Sequence, residues 1–351
     1  MNRMVARALG GAASMIDRAL VAAVRVRSGG QRSRAERLSH EERLPRLRRV
    51  RDLYAAGLAG GFFADPPAIA PALRDARALP HGGRVIDASW PSSSEPFLAD
   101  IRARYLGHEE NRTAHARLYL AASPRPAVVL IHGYLGGHYA VEERAWPIAW
   151  MMRRGLDVAV VALPFHGLRG AAAGGPPPFP GSDPRFTNEG FRQGIADLRA
   201  LIRWLRERGA PHVGAMGMSL GGYTTALLAT VEELAFAVPI IPLSSIADFA
   251  RDQGRLGSGA EADAQHRALE EANVVVSPFA RPSRVPGERM LVVGAEADRI
   301  TPINQAERLA RHFGAPLRRL PGGHLMQLWR RDAFRAARGL WQRLGITAGG
   351  G

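Results

Sequence analysis

The sequence predicts an α/β protein: a mostly parallel central sheet with helices on both faces, preceded by an N-terminal helical extension. Two observations predict it. From Gly83 onward, short apolar runs alternate with longer helix-patterned stretches, which is the texture of βα units. Several of those runs end in loops rich in Gly, His and Asp, and a parallel sheet gathers its functional groups at the carboxyl ends of its strands. A chain of 351 residues, 46% of them hydrophobic, has ample material for one large core.

Residues 1–28 fit a basic amphipathic helix. Met1, Val5, Ala8, Ala12, Ile16, Ala19, Ala23 and Val26 recur at spacings of three and four, with Arg3, Arg7, Ser14, Arg18 and Arg25 on another face. Such a helix either lies on an anionic lipid surface or docks its apolar stripe on the protein's own body. Residues 29–34 read as a linker and residues 35–58 as a second helix interrupted at Pro45, while Gly60, Gly61, Pro66, Pro67, Pro71 and Pro80 mark loops. Residues 85–90 and 114–120 then read as two edge strands, the second clearly alternating. Ala127-Val128-Val129-Leu130-Ile131 is a fully apolar, buried strand, followed by a helix over 142–154 and a second buried strand over 158–163. Residues 167–187 form a Gly/Pro-rich excursion, too long for an ordinary connection and so a candidate lid or site wall. Asn188 is placed as the cap of a helix to about Arg208, and residues 212–216 lead as a strand into Gly217-Met218-Ser219-Leu220-Gly221-Gly222. Strands follow at 234–241, 289–293 and 316–320, with helices at 304–312 and 325–344. Residues 248–272, polar and partly helical, are a second candidate lid.

Composition excludes several classes of function. The absence of cysteine removes disulfides, thiolate catalysis and thiolate metal sites, and fits a reducing, cytoplasmic setting. No apolar run reaches the roughly 18 residues of a spanning helix, and the run over 8–16 is too broken to read as a signal peptide. The net charge of +15 suggests nucleic acid, yet every basic residue is arginine and no recognition motif accompanies them. Residues 1–51 hold 13 arginines and four acids, which places more than half of the excess in the first seventh of the chain. Peripheral membrane contact through residues 1–28 is therefore the surface role the charge supports; a nucleic-acid partner is not. No His, Asp and Glu grouping has convincing metal-ligand spacing. No phosphate loop appears either, because Gly217 to Gly222 contains no lysine, so no metal or cofactor is expected.

Ser219 sits between small residues on a predicted strand-to-helix turn. That bend exposes a hydroxyl at its tip, because Gly217 and Gly221 bring no side chains to collide across it. Taken alone the pattern is weak, and an ordinary helix cap is the plain alternative. Partner loops strengthen it: a His132-Gly133 loop precedes the elbow, and an acid and a histidine follow it. The chain order Ser219, Asp298, His324 is that of an α/β-hydrolase. Glu296, in the same loop as Asp298, and Asp248, after another strand, stand as alternative acids. His132 and His166 also lie at strand ends, but neither has the chain order of the base. His132 is expected to orient its loop by a hydrogen bond, and His166 to stabilise a loop or contact substrate.

Over about Arg84 to Leu344 the chain resembles the α/β-hydrolase superfamily, in its serine esterase and lipase-like branch. The resemblance is carried by Ile131-His132-Gly133, Gly217-Met218-Ser219-Leu220-Gly221, Asp298-Arg299-Ile300-Thr301-Pro302 and Gly323-His324. It implies an α/β-hydrolase domain over 84–346, with residues 1–83 outside it. It also implies Ser219 as nucleophile, His324 as base and acid, and Asp298 as the group that orients the imidazole. The backbone N–H groups of Tyr134 and Leu220 would receive the oxyanion, with His132, Gly133, Gly217 and Gly221 supporting the loops. The activity implied is cleavage of carboxylic esters or thioesters through an acyl-enzyme, acting on a small-molecule or lipid ester. Amide cleavage stays open, as does lipid acyl hydrolysis at a membrane surface. From another class, a catalytically silent, membrane-associated scaffold on a hydrolase body stays open too.

Overall fold

A computed structural model describes residues 38–93, 95–170, 176–325, 327 and 330–347. The expected amphipathic helix 1–28 and linker 29–34 lie outside the described residues. Among the described residues nine strands form one sheet: β1 (Ala72–Ala78), β2 (Arg84–Pro91), β3 (Thr113–Leu120), β4 (Ala127–Ile131), β5 (Asp157–Val161), β6 (Val213–Met218), β7 (Ala237–Ile240), β8 (Val292–Ala295) and β9 (Leu317–Leu320). Their order is β1-β2-β3-β5-β4-β6-β7-β8-β9. The first three run antiparallel with their neighbours, and from β5 through β9 every pairing is parallel. β4, β5, β6, β7 and β8 are buried along their whole length, which is why they read as unbroken apolar runs in the sequence.

The helices that matter to the site are α1 (His40–Ala59), α2 (Tyr139–Ala145), α3 (Pro184–Glu207), α4 (Leu220–Leu228), α5 (Ile246–Asp252), α6 (Gly259–Ala272), α7 (Ile303–Phe313) and α8 (Arg330–Arg343). Cores form on both faces of the sheet. One joins α3, α4 and residues of α1; the other packs Trp341, Leu340 and Ala337 of α8 with Trp146 and Met151 against β4, β5 and β6.

Several expectations need correction. Residues 1–83 do not form a purely helical extension, because 72–78 are strand β1, paired antiparallel to β2 on the sheet edge. All seven β1 residues are exposed, and Arg74, Asp75 and Arg77 keep that edge from pairing further. Consequently β2 and β3 lie inside the sheet and are not its edges. Helix α1 is part of the body as well: Tyr54 donates to Glu189 of α3 at 2.8 Å, and Arg43 bonds Gln265 of α6 at 2.9 Å. It starts at Ser39, whose hydroxyl and Glu42 form a reciprocal cap, and it continues through Pro45. α3 is capped by Asp183, with Pro184 in its first turn, so Asn188 is helix interior, and its amide donates to Ala272 O at 2.9 Å. The helix expected over 142–154 is split at Pro147 into α2 and a short turn of helix, Ile148–Met152.

Candidate active site

The elbow forms as its sequence dictates. β6 ends at Met218, and Ser219 adopts φ 56°, ψ −113°, a conformation that costs a non-glycine residue on the order of 1–3 kcal/mol. α4 begins at the next residue. A Cβ on Gly217 would lie 2.1 Å from Gly221 O, and one on Gly221 would lie 2.1 Å from Ile131 O. The two glycines therefore let the first turn of α4 fold back on β6 and press against the end of β4. Ser219 N–H donates to Ile240 O at 3.0 Å, and Tyr223 N–H to Ser219 O at 3.0 Å, so backbone bonds on both sides hold the strained residue.

Two loops at the same end of the sheet meet this serine. His324 follows β9 and approaches Ser219 Oγ with Nε2 at 3.0 Å, while its Nδ1 lies 2.8 Å from Asp298 Oδ2. Asp298 follows β8 and is buried. Its Oδ1 accepts from the N–H groups of Ile300 and Thr301, both at 2.8 Å, a local turn that aims Oδ2 at the histidine. The Thr301 hydroxyl lies 3.0 Å from Asp298 Oδ2, 3.1 Å from His324 Nδ1 and 3.0 Å from Ile241 O. The alternative acids are placed elsewhere. Glu296 is exposed, and Asp248 pairs with His266 at 2.7 Å and with Arg308.

The loop after β4 lies against the elbow. A Cβ at Gly133 would be 3.5 Å from Ser219 Cβ and 3.5 Å from Met218 O, so the backbone of this loop packs directly on the elbow. Leu220 N–H opens α4, where the first turn has no intrahelical acceptor. His132 orients this loop as expected. Leu163 N–H donates to its Nε2 at 2.9 Å, so Nδ1 carries the proton and donates to Gly133 O at 2.7 Å. Burial lowers the His132 pKa to about 4, which keeps the ring neutral and that tautomer fixed.

His166 is a loop residue, as expected. Its Nδ1 bonds Pro164 O at 2.8 Å, and its ring stands 5.3 Å from that of His132 and 5.6 Å from that of Tyr134. Burial, then the neighbouring His132, lower its pKa to about 3. Gly167 is required next to it, since a Cβ there would lie 2.2 Å from Gly137 O. At Gly167 the loops after β4 and β5 thus touch backbone to backbone, with no room for a side chain at that position.

Sequence reasoning missed Glu142. This buried carboxylate accepts from Gly137 N–H at 2.9 Å through Oε1 and from the Trp146 indole at 3.1 Å through Oε2, tying the end of the His132 loop to α2. Burial raises its pKa. Only its place five residues beyond Gly137 hints at the role. The expected lid segment 248–272 folds as α5 and α6, and Gln253 reaches Ile300 O in the acid loop at 3.4 Å. Of the segment 167–187, residues 171–175 lie outside the described residues.

Asp248, His266 and Glu270 bring three ligand-type atoms within 4.8 Å of one another, a grouping that their sequence spacing does not announce. The Arg308 guanidinium reaches both carboxylates and supplies the positive charge there, so nothing about the trio calls for an ion. No helix among the described residues is long and apolar enough to cross a membrane.

Comparison with known proteins agrees with this architecture. The profile of the X-Pro dipeptidyl-peptidase (S15 family) matches residues 179–283. An uncharacterized protein of Mycobacterium tuberculosis, Rv2627c, is 30% identical over 278 residues, 75% of this chain. The chain spans 65% of the length of that relative. Among solved structures, acetyl xylan esterase 1 from Thermoanaerobacterium sp. superposes with a TM-score of 0.57 at 15% identity, over 87% of this chain and 98% of its own. The acetyl xylan esterase from Paenibacillus sp. gives 0.56 at 15%, over 86% and 94%. At such identities the likeness establishes the fold.

Proposed function

We propose that this chain, a member of the α/β-hydrolase superfamily, is a serine hydrolase that cleaves carboxylic esters or thioesters through an acyl-enzyme. The observation that carries the reading is the unbroken chain from Ser219 Oγ to His324 Nε2 at 3.0 Å and from His324 Nδ1 to Asp298 Oδ2 at 2.8 Å, starting from a strained elbow. A serine hydroxyl is a weak nucleophile until a base takes its proton. His324 takes that proton as Ser219 Oγ attacks the substrate carbonyl. Asp298 then holds the imidazolium through Nδ1–H. The negative charge that develops on the carbonyl oxygen meets the N–H groups of Leu220 and Tyr134, each worth about 3 kcal/mol of transition-state stabilisation. His324 returns the proton to the leaving alcohol or thiol, and the acyl group remains on Ser219. Water, deprotonated by the same histidine, attacks the acyl-enzyme, and the collapse of the second intermediate restores Ser219–OH.

A second reading has its own observation. Tyr134, Leu135, Leu168 and Leu325 are exposed, on the loops after β4, β5 and β9 that surround the serine. An apolar rim of this kind favours an ester with an apolar chain, and lipid acyl hydrolysis at a surface, with residues 1–28 as the basic contact, extends it.

The test is a fluorophosphonate probe together with a panel of p-nitrophenyl esters of increasing chain length. The reading expects labelling and ester turnover that both vanish in Ser219→Ala. Ester hydrolysis that survives the substitution contradicts it. Higher activity on X-Pro dipeptide amides than on any ester would move the substrate class to peptides. Turnover of dispersed lipid that falls on deletion of residues 1–28, with soluble-ester turnover unchanged, would favour the surface reading.

A further inference from the structure

Thr301 has one hydroxyl proton and three partners around it. Ile241 O and Asp298 Oδ2, both at 3.0 Å, are acceptors, and His324 Nδ1, at 3.1 Å, carries the proton that it donates to Asp298. The hydroxyl can donate to one acceptor only. If it donated to Asp298 Oδ2, it would compete with His324 for the same carboxylate oxygen. If it donates to Ile241 O, its own lone pair faces His324 Nδ1–H, and that N–H is shared between Asp298 and Thr301.

The backbone favours the second arrangement. Ile241 has φ 40°, a genuine outlier for a β-branched residue, which only surrounding contacts can maintain. It follows the last residue of β7 and is held by its N–H bond to Val293 O at 2.7 Å. Its carbonyl accepts the Thr301 hydroxyl, so the strained residue presents an acceptor to a site that already contains a carboxylate. Ile240, the residue before it, accepts from Ser219 N–H. The end of β7 therefore touches both the nucleophile and the acid loop.

We infer that Thr301 is a positioning residue of this site: the Ile241 carbonyl holds its proton away from Asp298, and its oxygen serves as the second acceptor for His324 Nδ1–H. The inference rests on the serine-hydrolase reading above. In it the imidazolium formed during attack is held by two acceptors that fix the plane of the ring, and Nε2 stays aimed at Ser219 Oγ. No bond to the substrate is made by Thr301. Its backbone N–H, which bonds Asp298 Oδ1, is retained in any side-chain variant.

The experiment is the pH profile of kcat/KM for ester hydrolysis by the full chain, in wild type, Thr301→Val, Thr301→Ser and Ser219→Ala. In Thr301→Val the methyl group replaces the hydroxyl at nearly constant shape. The expected result is a kcat about tenfold lower with KM little changed, and a kinetic pKa of the base about half a unit lower, because the imidazolium has lost an acceptor. Thr301→Ser is expected to return kcat to within about threefold of wild type and to restore the pKa. A raised pKa in Thr301→Val would show that the hydroxyl had been competing for Asp298, and would overturn the inference. An unchanged profile, or a serine variant as impaired as the valine one, would overturn it too. If Thr301→Val does not fold, Thr301→Ala is read in the same way. Ester turnover that persists in Ser219→Ala would instead remove the underlying reading, so the two failures are distinguishable.

Discussion

His324 and His266 each share a hydrogen bond with an aspartate, at 2.8 and 2.7 Å, and each lies in a cluster that also includes a serine. The surroundings differ. Asp298 is buried, and its second oxygen is filled by two backbone N–H groups, which leaves one oxygen to act on the imidazole. Asp248 is half-buried and shared with the Arg308 guanidinium, so its charge is already matched. Ser219 stands at a positive φ with its hydroxyl facing a histidine nitrogen; Ser245 sits in extended backbone, accepts from Asp248 N–H as the cap of α5, and bonds Glu270. The residue types are nearly the same in the two places. What separates a site poised for chemistry from a clamp is a strained backbone that exposes the nucleophile and an acid with no competing arginine among the described residues.

The sharpest way to break this comparison is to swap the serines. Ser219→Ala is expected to lower kcat by about 10⁴-fold or more, whereas Ser245→Ala leaves kcat within about twofold and lowers thermal stability through the lost cap. Steady-state ester assays beside thermal melts read both. Next come the acids. Asp298→Asn presents an amide where the imidazolium needs a carboxylate, with an expected loss of about 10³ to 10⁴-fold in kcat. Asp248→Asn should change kcat by less than about threefold and cost on the order of 1 kcal/mol of stability, because its ion pair is partly exposed.

The His132 loop offers a smaller effect. Glu142→Gln keeps the size of the side chain but offers one acceptor oxygen to two donors, Gly137 N–H and the Trp146 indole, so one bond is lost and kcat is expected to fall about tenfold with KM little changed. A change confined to KM would place the residue with substrate binding instead. The smallest effect is on stability. His132 and His166 have their pKa values lowered from 6.5 to about 4 and about 3, so the folded protein excludes protons that the unfolded chain binds. Their contribution is intact above pH 6.5 and is lost as pH falls from there, down to about 4 for His132 and about 3 for His166. The slope approaches two protons, about 2.7 kcal/mol per pH unit at most. Urea unfolding at pH 7 and pH 5 checks this, and His132→Gln should halve the added sensitivity.

How much of this was legible in the sequence follows from the range of each interaction. The elbow could be read because Gly217, Ser219 and Gly221 are near one another and their conformational demand is local. The buried strands could be read because parallel strands covered on both faces are apolar throughout. β1 could not, since all seven of its residues are exposed and its charged residues between Pro71 and Pro80 look like loop. The single helix read over 142–154 is two, because Pro147 separates α2 from the turn Ile148–Met152. The site residues Ser219, Asp298 and His324 were accessible through their order at strand ends, and the structure brings all three together. Glu142 and Thr301 were not singled out. The Thr301 hydroxyl depends on Ile241, 60 residues away, whose positive φ no residue type announces. Likewise the packing of α1 on α6 spans more than 200 residues, which local periodicity cannot register.

The central claim is that one serine, raised on a strained turn beside His324, is the nucleophile. The most direct measurement is peptide-mapped mass spectrometry of the full chain after incubation with a fluorophosphonate. The account predicts a single phosphonate adduct, on Ser219, absent after heat denaturation before labelling and absent in Ser219→Ala. An adduct on Ser245 or any other residue in the folded protein, or no adduct on folded wild type, would contradict it.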